Sequence, residues 1–385
     1  MSDDGHRWFG RMKFTLAVRN LLRSGARLWV SLFGIAFATF LMGFQGSLLY
    51  SFTLAASRIV DAVDADLLIV GKGTPTFEYV SPIPERYATL SLGVDGIADA
   101  GRGIVGWAPI QRPNGERTLI AIVGIERRFR GRLPDVFDLA ADEGHSDWAL
   151  AIDATDANVL QYADASRAVQ IGSHRGHYVA EVHGFSSFIG SPYVFADYVD
   201  AHNYLNLEST QVSLVLLRVA RGHDLVAVRD ALRARLPDVD VWTKSELAWK
   251  SRLFWLVQTG AGAALSLAAI LGFLIGLVVV VQTIYSITAE NIDEYATMKA
   301  IGASNGDVRG LVLIQSFVCG VLGGSVGLGL IRPFAALVRP AVTWIMVPSF
   351  IYPLVGVAIA LLCAAASLIA ARPAVAIDPG RVFRA

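Results

Sequence analysis

Charge is scarce in this sequence. Only 17% of its 385 residues are Asp, Glu, Lys or Arg, against about 25% in ordinary soluble domains. With 54% hydrophobic residues and a mean hydropathy of +0.49, a soluble globule is excluded and a membrane protein expected. Neither sign is in surplus, since 33 basic residues balance 33 acidic ones, which removes the electrostatic case for nucleic acid. Cysteine is nearly absent. Cys319 and Cys363 both lie in apolar runs, so the polar part of the chain is not stapled by disulfides. Both read as small packing residues.

Motifs for chemistry are also lacking. Gly71 to Thr74 (GKGT) has no upstream glycine spacing to build a phosphate cradle. Gly101 to Gly106 (GRGIVG) has the letters of a dinucleotide fingerprint, but a strand containing Pro109 follows where a helix should start. His174, His177 and His183 lie in a strand-like, glycine-broken segment without acidic residues at ligand spacing, so no metal site is expected. No nucleophile elbow is recognisable. The chain therefore reads as a non-enzyme with no cofactor of its own.

What is present is four long apolar runs. Residues 1–27 are basic, with Arg7, Arg11, Lys13, Arg19, Arg23 and Arg27 against Asp3 and Asp4. Interleaved apolar residues predict an amphipathic helix on an anionic leaflet, which is equally a positive-inside flank. Leu28–Ser57 carries no charge and exceeds the roughly 20 residues a span needs. The helical pattern runs on through Val63, so residues 28–63 are predicted as a first span plus stalk. Leu253–Ala289 is again uncharged and too long, so 245–287 is predicted as stalk plus second span. The third span is placed at 310–331 and the fourth at 342–371, followed by a tail over 372–385.

Between the first two spans, residues 64–244 regain polarity. Asp66–Val70 is a buried-strand pattern ended by Gly71, and Gly103–Ile110 and Thr118–Ile125 flank a turn at Pro113, Asn114 and Gly115. Tyr178–His183 and Tyr193–Ala196 are further strand patterns. Val212–Val219, a helix over Asp224–Leu236 and Val239–Trp242 give a strand–helix–strand ending. The fold class is thus membrane α-helical, four transmembrane helices, with an α/β (α+β) domain inserted between the first and second. Arg127–Arg175 has no readable pattern. About 11 Lys and Arg lie in the N-terminal flank, the loop around Lys299 and the tail, against 2 between the third and fourth spans. This places both termini inside and the large domain outside.

Polar residues in apolar runs need partners. Gln45, Gln258, Gln282 and Gln315 are candidate intramembrane polar groups, either bonding between helices or lining a substrate path. Gly272/Gly276, Gly320/Gly324 and Gly323/Gly327 have helix-packing spacing, within the chain or at a dimer seam. No acid or base lies inside a span, which disfavours proton-coupled transport.

Residues 288–309 form the loop between the second and third spans. Asn291–Ala300 is predicted as a short helix with Lys299 in its last turn, ended by Gly302. Its wording, Glu294 to Ser304 (EYATMKAIGAS), resembles the "E-x-x-x-x-K/R-A-I/L-G-A" signature of the MacB/FtsX family of ABC-transporter permeases (type VII, mechanotransmission type). Leu32–Ala38 (LFGIAFA) with Leu41, Met42 and Gln45, then Asp66–Val70, Ile122–Ile125 and the tail around Ile377–Pro379 and Val382–Arg384 are similar to its DevC-like branch, except for glycine at 380.

The resemblance implies a coupling helix that meets a separate ABC ATPase, with Glu294, Tyr295, Lys299, Ala300 and Gly302 at the contact. That partner would bind the ATP and Mg. The resemblance further implies a homodimer in the bacterial inner membrane, a periplasmic domain, an HlyD-type periplasmic adaptor and a TolC-like outer-membrane channel. Three roles stay open: export of a lipid, glycolipid or amphiphilic compound; FtsX-like regulation of a periplasmic cell-wall hydrolase; and lipoprotein release.

Overall fold

The computed structural model describes residues 26–112, 114–136, 138, 148–160 and 168–376. The basic N-terminal helix expected over 1–27 and the end of the tail lie outside the described residues, apart from positions 26, 27 and 372–376. Among the described residues four helices are long and apolar enough to cross a membrane: Leu28–Ala55 within Ala26–Ala55, Gly260–Glu290, Asn305–Val338 and Ile351–Ala376. The chain is a membrane protein with a mixed α/β domain between its first and second spans. It divides into a membrane unit (1–50, 264–338, 346–385) and an outer unit (51–263 with 339–345).

Among the described residues eleven strands build the outer unit: β1 Leu67–Gly71, β2 Ile83–Pro84, β3 Ile97–Gln111, β4 Arg117–Ile125, β5 Ala149–Asp153, β6 Ala168–Ile171, β7 His174–Val182, β8 Tyr193–Ala196, β9 Gln211–Val212, β10 Leu214–Val219 and β11 Val239–Thr243. Nine form one sheet in the order β11-β1-β10-β3-β4-β8-β5-β7-β6, and β2 pairs with β9. The expected hairpin is β3–β4, antiparallel with Ile110 opposite Thr118. β6 returns to the far end of β3, Ile110 facing Ile171, so six strands close on themselves and lose their edges. The strand–helix–strand ending is a split unit: β1 lies between β10 and β11 and runs antiparallel to both.

β1 is buried at every position because helices cover both faces of the sheet. Leu67 and Ile69 pack in the core that holds Val228 and Leu232 of helix Leu225–Arg235. Leu68 and Val70 face the core that holds Leu247 of helix Lys244–Leu253. Asp224 caps the first helix by accepting from Ala227 N at 3.0 Å, and Thr243 with Glu246 forms a reciprocal capping box on the second.

Both chain entries to this unit differ from the continuous helices predicted. The first helix stops at Ala55, and a five-residue helix, Arg58–Ala62, follows. Ser57 lies between them with φ −121° and ψ 1°, its hydroxyl donating to Asp61 and accepting from Arg252 Nε, both at 2.7 Å. Arg252 also pairs with Asp61 at 2.8 Å. On the other side a π turn, Phe254–Gln258, precedes an extended Thr259, whose hydroxyl accepts from Gly262 N at 3.1 Å and caps the second span. The helix that holds the third span runs Asn305–Val338, past Pro333, and the one that holds the fourth runs Ile351–Ala376.

In the membrane unit the glycine pairs let helices touch. A Cβ on Gly276 would meet Met42, and on Gly323 or Gly327 would meet the backbone carbonyls of Leu32 or Ala36. Gly320 meets Cys363, and Gly324 meets Ile359. These small residues thus serve packing inside the chain.

Candidate functional site

Ile292–Ala300 is a nine-residue helix between the second and third spans. Asp293 and Glu294 in its first turn and Lys299 in its last complement the helix dipole. Its end is a Schellman motif: Gly302 N donates to Lys299 O at 3.1 Å and Ala303 N to Met298 O at 2.9 Å. Gly302 has φ +100°, which a side chain resists and glycine does not. Two residues on, Ser304 and Asp307 cap the third span reciprocally: Asp307 N donates to Ser304 Oγ at 3.2 Å and Ser304 N to Asp307 Oδ2 at 3.0 Å.

This short helix has two distinct faces. Tyr295 and Ala296 are fully buried, and Tyr295 packs with Val308, Leu311 and Val312 of the third span and with Ala371 and Ala374 of the fourth. The Tyr295 hydroxyl donates to Gln315 Oε1 at 2.6 Å. Burial, with Glu294 beside it, pushes the phenol well above its ordinary pKa despite the opposing bond to Gln315, so it stays a donor. Lys299 Nζ donates to Val375 O at 2.7 Å. Asp293, Thr297, Ala300 and Ile301 form the exposed face, and Ile301 is 83% exposed, more than any other large apolar residue described.

The five residues that the sequence nominates for a partner contact therefore separate. Ala300 and Gly302 are exposed, Glu294 and Lys299 half-buried, and Tyr295 is the anchor beneath. Asp293, Thr297 and Ile301, at spacings of four on one helix face, share the exposed side with Ala300. Among the glutamines, Gln315 is buried and bonded to Tyr295. Gln45 is half-buried with its side chain against Gly272, and Gln282 is exposed. Gln258 ends the π turn, before the long apolar helix begins at Gly260, because Thr259 breaks the helix. Among the described residues no His, Cys, Asp or Glu side chains gather as a metal site; the His174 ring stacks on Trp148 at 4.8 Å.

Two solved structures resemble the chain weakly. One is the periplasmic region of MacB from Actinobacillus actinomycetemcomitans, at 9% identity and TM-score 0.34, covering 49% of this chain and 94% of that one. The other is the extracellular domain of the noncanonic ABC-type transporter YknZ from Gram-positive bacteria, at 14% identity and TM-score 0.31, covering 46% and 98%. No curated protein matches the sequence. Residues 266–379, however, match the family model of the FtsX-like permease C-terminal region. The stretch holding the two-faced helix, most of the second span and the whole of the third and fourth is thus similar to the C-terminal region of FtsX-like permeases.

Proposed function

We propose that the chain is the permease subunit of an ABC-type exporter of the bacterial inner membrane. A separate ATPase docks on the exposed face of Ile292–Ala300, and ATP-driven movement there reaches the outer domain, which lies on the periplasmic side. The observation that carries this reading is the division of labour in that helix. One face is tied to the third and fourth spans through Tyr295, Gln315 and Lys299, while the other offers Ile301 and Asp293 to a partner. A helix fixed on one side transmits a push on the other. Exposed large apolar residues beside charges are what partner surfaces use as anchors.

The finer terms of the proposal follow the sequence resemblance: a DevC-like homodimer with an HlyD-type adaptor and a TolC-like outer-membrane channel, moving a lipid, glycolipid or other amphiphile. The contact set becomes Asp293, Thr297, Ala300, Ile301 and Gly302, with Tyr295 and Lys299 holding the helix in place. Co-purification from mild detergent tests it. Ile301→Asp and Asp293→Lys should each lower ATPase recovery about tenfold, as loss of an interface anchor does. Unchanged recovery, or protease access placing residues 291–304 on the same side as residue 200, overturns the reading. Recovery of a cell-wall hydrolase in place of an adaptor overturns the export role.

A further inference from the structure

An aromatic cleft of about 450 Å³ lies in the outer unit, within the size range of small-ligand sites. Phe188 stands edge-on to Phe52 at 5.4 Å and to Trp255 at 5.0 Å. Tyr79 lies against Trp107 at 5.9 Å and against Trp255 at 6.1 Å. Tyr79 and Leu119, at the mouth, are each about half exposed, while Phe52, Phe188 and Trp255 are buried behind them.

Two features say what this cleft takes. The first is chemical. Both indole donors are already used by one residue behind the wall: Trp107 Nε1 donates to Glu78 O at 2.9 Å and Trp255 Nε1 to Glu78 Oε2 at 3.3 Å. The Glu78 carboxylate also accepts from Tyr193 at 3.0 Å and Thr76 at 2.6 Å, so it is saturated and turned away from the opening. With their N–H groups occupied, the tryptophans offer ring faces and no hydrogen bonds. The second is positional. Phe52 belongs to the last turn of helix Ala26–Ala55 and Ala261 to the first turn of Gly260–Glu290, so the cleft is lined by the outer ends of two spans. There the hydrocarbon of a bilayer gives way to water, and aromatic side chains concentrate at that level.

The geometry points to a binding site for the acyl chain of a membrane lipid, laid against the half-exposed Tyr79 and Leu119 at the mouth with Trp107, Trp255, Phe188 and Phe52 as the wall behind them. Apolar contact supplies the affinity. If the chain is an exporter, this lipid is the class of its cargo, a clause that rests on the function proposed above; the site itself rests on the two span ends and the sealed indoles.

The full chain in phosphatidylethanolamine–phosphatidylglycerol nanodiscs, doped with a phosphatidylglycerol carrying a diazirine on one acyl chain, provides the test. On irradiation, peptides containing Tyr79 and Phe188 should be labelled, with the third-span peptide as the internal measure of general lipid contact. Tyr79→Ser and Leu119→Gln, both at half-exposed positions, should each lower cleft labelling about five-fold, near 1 kcal/mol, and leave the span labelling unchanged. Tyr79→Phe should retain it. Labelling confined to the spans, or unchanged in the Tyr79→Ser/Leu119→Gln double variant, overturns the site, as does loss of labelling in Tyr79→Phe, which would mean polar recognition. A labelled cleft in a sample that recovers no ATPase sustains the site and sinks the exporter; an unlabelled cleft in a sample that does recover one does the reverse.

Discussion

Each unit of this protein holds a buried polar node, and the two are built to different standards. In the outer unit the Glu78 carboxylate is 3% exposed and accepts from Thr76, Tyr193 and Trp255, while its carbonyl accepts from Trp107. Burial raises its pKa, and those side-chain bonds oppose the shift. In the membrane unit Tyr295 and Gln315 share one hydrogen bond, and Gln315 Nε2 and Glu294 Oε2 are buried with no partner among the described residues. A saturated node locks its surroundings, because removing any member strands the others. A node with one bond and spare valence fixes its helix more lightly. The helix Ile292–Ala300 is therefore held by fewer polar contacts than the wall around Glu78.

The comparison breaks most visibly at Glu78. Glu78→Ala leaves three buried donors without an acceptor, so thermal or denaturant unfolding of the purified chain, followed by tryptophan fluorescence, should show a loss of about 3 kcal/mol. A loss below about 1 kcal/mol would mean that the node is not saturated in solution.

A second carboxyl of the outer unit sharpens the point through pH. Burial pushes the Asp156 pKa up to about 6; its bond from Ser187 N pulls the other way, and Asp153 adds to the rise. The folded state thus binds this proton more tightly than the unfolded chain, whose pKa is near 3.8. Its contribution to stability is present at low pH and is lost as pH rises through about 4 to 6. Allowing for partial exposure, hydrogen exchange at Ser187, corrected for intrinsic rates, should show an opening free energy about 1–2 kcal/mol higher at pH near 4.5 than at 7.5. Asp156→Asn should flatten that profile.

The smallest effect is expected in the membrane unit. Tyr295→Phe removes the one bond and leaves Gln315 wholly unpaired, which should weaken the fold by about 1 kcal/mol and lower ATPase recovery. Adding Gln315→Leu should restore most of the stability, since replacing both partners by apolar groups is nearly neutral. If the double variant is worse than either single one, the node is as tightly built as that of Glu78 and the contrast fails.

Much of this was legible residue by residue. Uncharged runs locate the spans, because hydrocarbon excludes charge whatever the fold. The glycine after Lys299 stops the short helix, because its φ of +100° is a local demand. The β3–β4 hairpin and the helix after Asp224 announced themselves by alternation and by a cap. What failed was continuity. The helices entering the outer unit were expected to run straight, but Ser57 is drawn to Arg252 from 195 positions away, and no periodicity carries that information. The burial of Tyr295 is hidden from periodicity for the same reason: a nine-residue helix of nearly neutral character shows its buried side only once Val308, Leu311 and Ala371 are packed on it.

The sequence by itself thus determined which segments cross the membrane, where the polar domain is inserted and where the short helix between two spans ends. Each of these depends on a residue's own transfer energy or backbone preference. Tertiary structure alone decided that the sheet closes through β6, that Glu78 gathers Thr76, Tyr193 and Trp255, and that the short helix between the second and third spans has an inner and an outer face. These depend on distant segments competing for the same buried donors and the same apolar surface, and that competition is resolved only when the chain has folded.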